Sequence, residues 1–234
     1  MTDIYSDTYV KKLFDEMSKT YGLVNLFSSL GFSYFWRRAC IRSITKDSIA
    51  ICDLMAGGAE SLIHIRRNLK SDAMVSLVDF SDEMCKKADL LIKRRSEKNA
   101  EVLACSALRL PVDDKTFDAV VSTFGLKTLS DHDLKRLVLE IKRVLKPNGV
   151  VSMLEFSMPD NTFIQVFFRL YVKHYVPFLG RLFLGNPDNY RMLWEYTVAF
   201  QNCKKVFAIM VSEGFKVQYK RHFLGSATQV VGTI

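Results

Sequence analysis

Five short apolar runs recur through the middle of the chain: Ile49–Asp53, Met74–Asp79, Glu101–Cys105, Ala119–Thr123 and Val150–Glu155. The stretches between them carry helical spacing. Glu83–Arg95 and Leu134–Leu145 repeat apolar residues three and four apart and end in basic residues or Pro-Asn-Gly. Ser81-Asp82 offers an N-cap to the first of these, with Met84, Ala88 and Leu91 on one face. Strands alternating with helices predict a parallel sheet covered on both sides. A ligand of such a sheet sits beyond the carboxyl ends of the strands, where the strand order reverses.

The flanking regions differ. Residues 161–187 hold seven Phe/Tyr, three Arg/Lys and no acid, which fits a helical lid or a surface element. Val217–Lys220 and Thr228–Ile234 look like a closing strand pair. Without repeats or linkers, a single domain is expected: an arm over 1–45, a ligand-binding core over 46–158, a lid over 159–213 and closing strands over 214–234. An apolar fraction of 49% in 234 residues supports a sizeable core and excludes a disordered chain. Cys40, Cys52, Cys85, Cys105 and Cys203 form no CxxC pair, so reduced buried thiols are expected and a metal site is not. No apolar run reaches the ~18 residues of a membrane span. The first residues place acids before lysines with no apolar signal core. A cytoplasmic protein, or one resting on a membrane surface, is expected.

The segment ICDLMAGGAES is the most informative. A strand ends in Asp53 and runs into Gly57-Gly58, where the backbone can approach a ligand closely. The next strand ends in Asp79, a position suited to a ribose diol. A dinucleotide site wants G-x-G-x-x-G, but Met55 occupies the first glycine position and Asp53 puts negative charge where phosphates would lie. A phosphate-free cationic ligand suits the loop better, and S-adenosylmethionine is the candidate. The alternative is that Gly57-Gly58 is only a tight turn.

The chain resembles the ubiquinone/menaquinone C-methyltransferase family of class I S-adenosylmethionine-dependent enzymes. The arm FDEMSKTYGLVNLFSSLGFSYFWRR carries Tyr21, Asn25, Ser29, Gly31 and Trp36-Arg37 of that family's opening signature. DLMAGGAE, LVDFSDEM, LRLPVDDKTFDAV, STFGLKTLSD, KRVLKPNGVVSMLEFSMP and YVPFLGRL follow in the family's order. The resemblance implies a Rossmann-like α/β fold with seven mostly parallel strands. It also implies that Asp53, Ala56 and Gly57 line the methionine end of the cofactor and that Asp79 holds the ribose beside Phe80 and Met84. Ser106 and Ala107 would edge the adenine, and Ser122 and Thr123 would lie near the sulfonium. For Phe80 and Met84, plain core packing is the competing reading.

Family members methylate carbon on an electron-rich ring, where a base must reach a hydroxyl or ring proton. His174, among the lid aromatics, and Glu155, at a strand end, are the candidate bases. A surface histidine and a structurally paired carboxylate are the plain alternatives. Tyr21, Asn25, Lys127, Tyr171 and Arg191 are expected substrate contacts. Three departures stand out. Lys127-Thr128 replaces the family's Arg-Asn after the FGL turn, Ser106 stands where an acid is common, and Ala59 replaces the third glycine. Lysine is a point donor without arginine's bidentate fork. Ala59 is tolerable if the position serves only helix–strand packing.

The expected activity is methyl transfer to a hydrophobic cyclic acceptor, a quinone-like ring or a secondary metabolite. A cofactor-binding relative with non-methylating chemistry such as cyclisation is a rival, as is a non-enzymatic component of a membrane-associated complex, which a pocket filled by side chains would favour. The lid reading requires a large apolar cavity above the cofactor. Membrane-surface contact and a homodimer are open partners; nucleic acid is not expected, because segment 161–187 lacks an RNA-binding motif.

Overall fold

The computed structural model describes residues 3–69, 72–182 and 186–234. Seven strands form one sheet in the order β3-β2-β1-β4-β5-β7-β6. They are β1 (Ala50–Leu54), β2 (Met74–Asp79), β3 (Ala100–Ala104), β4 (Phe117–Thr123), β5 (Leu145–Phe156), β6 (Lys216–His222) and β7 (Ala227–Thr233). The first five run parallel. β7 is antiparallel to both β5 and β6, as a directly connected closing hairpin must be. The strand order reverses beside β1, which pairs with β2 on one side (Cys52 opposite Ser76) and β4 on the other (Cys52 opposite Val120). The mostly parallel, seven-stranded expectation is met.

The arm consists of α1 (Asp7–Met17), α2 (Tyr21–Ser28) and α3 (Phe32–Ile41). Three helices follow between strands: α4 (Leu62–Asn68), α5 (Asp82–Arg95) and α6 (Asp131–Val144). The α5 N-cap is Ser81, whose hydroxyl accepts from the Met84 amide at 3.2 Å. Ser130 caps α6 in the same way through Asp133. Leu134, Leu137, Val138, Ile141 and Val144 bury one stripe of α6 against the sheet.

The segment after β5 folds as α7 (Thr162–Leu170), a π-helical turn (Tyr171–Tyr175), α8 (Val176–Leu182), α9 (Pro187–Phe200) and α10 (Lys204–Ser212). Its last part is not lid: Cys203, Val206 and Met210 are buried in the main core with β5, β7 and α6. A separate apolar cluster joins α1, the start of α5, the π turn, α8 and α9 through Leu13, Met17, Met84, Val172, Val176 and Trp194. The arm and the lid are therefore packed on one another above the carboxyl ends of the strands. The thiols are all free, and burial pushes Cys40 up to about 12.

Candidate active site

The glycine loop departs from β1 with Met55 at φ 55°, Gly57 at 58° and Ala59 at 65°. Gly57 uses this left-handed conformation to turn its amide onto Asp79 Oδ2 at 2.8 Å, while Ser81 N–H donates to Asp79 Oδ1 at 3.0 Å. Loop and second strand are thus joined through one carboxylate. Ala59 is the exception to the packing-only expectation: its backbone demands a conformation that a Cβ disfavours by about 1–2 kcal/mol.

A narrow cleft with a cavity volume of about 40 Å³ lies at the ends of β1, β2 and β4. Ala56, Asp79, Phe80 and Thr123, four of the residues that the family resemblance points to, line it. Met55 lines it too, its side chain lying against Gly125 so closely that a Cβ there would fall 2.6 Å from the sulfur. Asp53 is buried just behind, and neither of its carboxylate oxygens has a hydrogen-bond partner among the described residues. Burial raises its pKa to about 8, with Arg37 pulling the other way and Glu60 and Asp79 adding to the rise. Asp79 is also raised, chiefly by burial.

Glu60 lines the cleft as well; its Oε1 lacks a hydrogen bond and lies 3.9 Å from Lys87 Nζ. Asp79 and Glu60 therefore line one small space with Asp53 buried behind it, and Arg37 is the guanidinium on its described walls. Carboxyl groups that a bound cation would draw into their ionised forms suit a ligand carrying sulfonium and ammonium groups and oppose a pyrophosphate. The residues present fit S-adenosylmethionine.

The structure differs from the sequence reading at several positions. Met84 is buried in the arm–lid cluster, so core packing accounts for it. Ala107 belongs to the main core, and Ser106 Oγ accepts from the Leu108 amide at 3.3 Å; neither lines the cleft. Ser122 is wholly buried, with an unpartnered hydroxyl among the described residues. Phe14, Arg37, Glu60, Phe124, Gly125 and Thr128 line the cleft without having been singled out for it. Glu60 had a signal, an acid two residues after the loop glycines. Phe14 had none, because it reaches the cleft through docking of α1. That docking rests on Asp15, which accepts from Ser81 Oγ at 2.6 Å, and on Lys87, which donates to the Ser18 carbonyl at 3.2 Å.

Beyond Phe124 lies a second cavity of about 60 Å³ within a wider open recess, with Phe124 lining both. Its walls are apolar and come from the arm, the lid and the strand ends, including Val24, Trp36, Phe156, Val172 and Leu193. It lies where the lid reading requires a large apolar cavity, but it is smaller than the roughly 150 Å³ cavity that admits a single benzene ring. Among the described residues its charged lining residue is Lys127, 6% exposed at its side chain. Lys127 Nζ donates to Glu155 Oε1 at 2.7 Å and to the Phe124 carbonyl at 3.0 Å. Glu155 also accepts from the backbone amides of Lys127 at 3.1 Å and Phe156 at 2.7 Å. An ammonium has three protons, and two are committed here. The third is available to the chamber. Glu155, fully buried and holding three donors, is a carboxylate that positions Lys127 and is not a base with a free lone pair facing the chamber.

The expectation that His174 faces the acceptor is not met. Val172 and Val176, one turn apart, point inward and are buried, so the residue midway between them points out. His174 lies in an outer groove with Lys173, Arg181, Arg191 and Glu195. Arg191 is thereby also outside the chamber, paired with Asp188. Tyr171 packs half-buried against Tyr175, its phenol pushed up to about 12 by burial. The phenol on the chamber wall is instead that of Tyr190, hydrogen-bonded to Thr20 at 2.7 Å. The side chains of Tyr21 and Asn25 lie outside the described residues.

The profile of the ubiE/COQ5 methyltransferase family matches residues 1–233. A demethylmenaquinone methyltransferase of Thermus thermophilus is 32% identical over 224 residues, spanning 94% of this chain and 99% of its own. A ubiquinone/menaquinone biosynthesis C-methyltransferase of Cellvibrio japonicus is 30% identical over 208 residues, 88% of this chain and 83% of its own. Among solved structures, a SAM dependent methyltransferase from Aquifex aeolicus superposes with a TM-score of 0.58 at 19% identity, over 81% of this chain and 84% of that one. The geranyl diphosphate C-methyltransferase of Streptomyces coelicolor gives 0.58 at 12%, over 84% and 75%. These two share the fold. With a whole-chain family match, an acid-lined cleft at the strand-order reversal and an apolar chamber beside it, the chain belongs to the ubiE/COQ5 methyltransferase family and is an S-adenosylmethionine-dependent methyltransferase.

Proposed function

We propose that the enzyme methylates a ring carbon of a hydrophobic, hydroxylated cyclic acceptor, of the quinol kind that the relatives' names point to. The observation that carries this reading is the single wall, Phe124, between an acid-rich cleft and an apolar chamber that holds one buried ammonium. S-adenosylmethionine supplies a methyl already activated on a sulfonium, so the protein's task is to align, desolvate and raise the nucleophilicity of the acceptor.

Asp79 would hold the ribose diol with the lone pairs that the Gly57 and Ser81 amides leave free. Asp53 and Glu60 would face the cationic end. The chamber's walls exclude water and orient a flat ring against Phe124. The third Lys127 proton would then donate to the acceptor's ring oxygen. The hydroxyl proton is released to solvent before the ring is seated. Stabilising that oxygen as an oxyanion raises electron density on the neighbouring carbon, and a preorganised donor in a dry site contributes more than it would in water. After methyl transfer that carbon's own proton passes back to the oxygen or to solvent, which restores the aromatic ring. Glu155 fixes the ammonium in place.

The test is calorimetric titration with S-adenosylhomocysteine, followed by turnover of a short-chain demethylmenaquinol and mass analysis of the product. Product carrying one methyl on carbon is expected. Cofactor binding without methylation of this or simpler hydroquinones would overturn the acceptor class, and product methylated on oxygen would overturn the position.

A further inference from the structure

The outer side of the lid is apolar and uncovered. α7 (TFIQVFFRL) contains no buried residue, and Phe163, Val166, Phe167 and Leu170 share its outward face. Its inner side is occupied: Phe168 stacks on Phe156, a chamber wall, at 5.0 Å. Phe178 and Leu182 on α8 are exposed as well, at 59% and 61%. The last turn of α2 adds Leu26 and Phe27, the link to α3 adds Leu30, and α3 adds Phe35.

These patches adjoin one another around the chamber. α2 packs against α8, and Val24 and Ser29 of this region line the chamber itself. Phe32, at the start of α3, stacks at 4.4 Å on Phe223 in the β6–β7 turn, where Phe223 and Leu224 are exposed. The same turn touches Pro159 and Asp160, immediately before α7, through Gly225.

Cations border this rim on two sides. Along α3 the exposed Phe35 is followed on the same face by Arg38 and Arg42, three and seven residues on. With Lys46 and Arg67 they line a groove that has no carboxylate among its described walls. On the lid side, Lys173 and Arg181 flank Phe178. Aromatic residues at the level of lipid headgroups with basic residues beside them make an arrangement suited to an anionic interface. A second copy of the chain fits worse, since a two-fold contact through this face would bring like charges together. No helix among the described residues is long and apolar enough to cross a membrane, so contact at the surface is the form available to it.

We infer that this rim docks on an anionic lipid bilayer, placing the acceptor chamber against the membrane so that an apolar acceptor passes from lipid to Lys127 without crossing water. The test is flotation of the full chain with phosphatidylcholine vesicles, with and without phosphatidylglycerol, alongside sedimentation velocity of the free protein. Binding is expected to the anionic vesicles and to weaken with added salt. Lys173→Gln with Arg181→Gln, and separately Arg38→Gln with Arg42→Gln, should each lower partitioning about fivefold per charge removed. Phe163→Ser with Phe167→Ser should lower it about tenfold or more. All three variants should still bind S-adenosylhomocysteine, which shows that they fold and separates this inference from the methyl-transfer reading. Three results would overturn it: no binding to anionic vesicles, binding that ignores all three variants, or a dimer that excludes vesicles and is dissolved by the two phenylalanine changes.

Discussion

Replacing Asp53 by Asn removes a carboxyl that the fold buries completely and leaves without a donor. Its pKa in the folded protein is about 8, against an ordinary value of 3.8. Below pH 3.8 both folded and unfolded chains keep the proton, and the site has no effect on the pH dependence of stability. Between 3.8 and 8 the unfolded chain releases the proton while the folded chain retains it, so stability falls as pH rises and levels off above 8. Each pH decade in that window is worth about 1.4 kcal/mol. At pH 7 the native protein therefore forgoes about 4 kcal/mol at this one residue, and still about 2 kcal/mol if half is relieved by local relaxation. Asn carries no such slope. Urea unfolding without cofactor at pH 5 and pH 7.5 should show Asp53→Asn more stable than the native protein, with a margin that widens at the higher pH. Cofactor affinity should move the other way, because a cation bound in the cleft favours the ionised carboxylate. A margin that does not change with pH, or an Asn variant less stable than the native protein at pH 7.5, would refute the reasoning.

Asp79→Ala removes two backbone hydrogen bonds and the ribose acceptor together, and should weaken S-adenosylhomocysteine binding by about ten- to a hundredfold in calorimetry. Ala59→Gly relieves a left-handed φ at the expense of added freedom in the unfolded chain, and should raise stability by about 0.5–1 kcal/mol in urea titration. Lys127→Gln should lower kcat about a hundredfold with cofactor binding intact. Because it strands Glu155, it should also destabilise the fold, and Lys127→Gln with Glu155→Gln should restore stability without restoring kcat.

The parallel sheet was legible because period and spacing are local properties: the runs at 50–54 and 74–79 are apolar on both faces, as strands covered from both sides must be. The two acids at their ends were legible for the same reason. What could not be read was everything set by tertiary docking. Phe14 reaches the cofactor cleft only because α1 is latched to the start of α5. His174 carries the chemistry wanted of a base, but its direction depends on which residues of a π-helical turn face inward, and Val172 and Val176 win that competition by burying more apolar surface. Glu155 and Lys127 were each noticed, but nothing in a spacing of 28 residues says that they pair. The left-handed backbone of Ala59 is invisible in the sequence, which carries no φ.

The turn after β4 explains how the two spaces are kept in register. Phe124, itself at φ 68°, forms the shared wall; Gly125 and Thr128 line the cofactor cleft, and Lys127 lines the chamber. Each is held from a different direction. Met55 presses on Gly125 from the glycine loop, Thr128 Oγ1 donates to the Gly125 carbonyl at 2.7 Å, and Glu155 draws in both the ammonium and the amide of Lys127 from β5. The loop that shapes the donor cleft is thus in contact with the turn that sets the acceptor's hydrogen bond. Replacing arginine by lysine at such a position exchanges a fork for a single directed proton, and the buried carboxylate behind it restores the fixed orientation that the fork would have provided. The distance between donor and acceptor is then governed by a few short, buried contacts, and alignment over such distances is where a reaction limited by positioning gains or loses most of its rate.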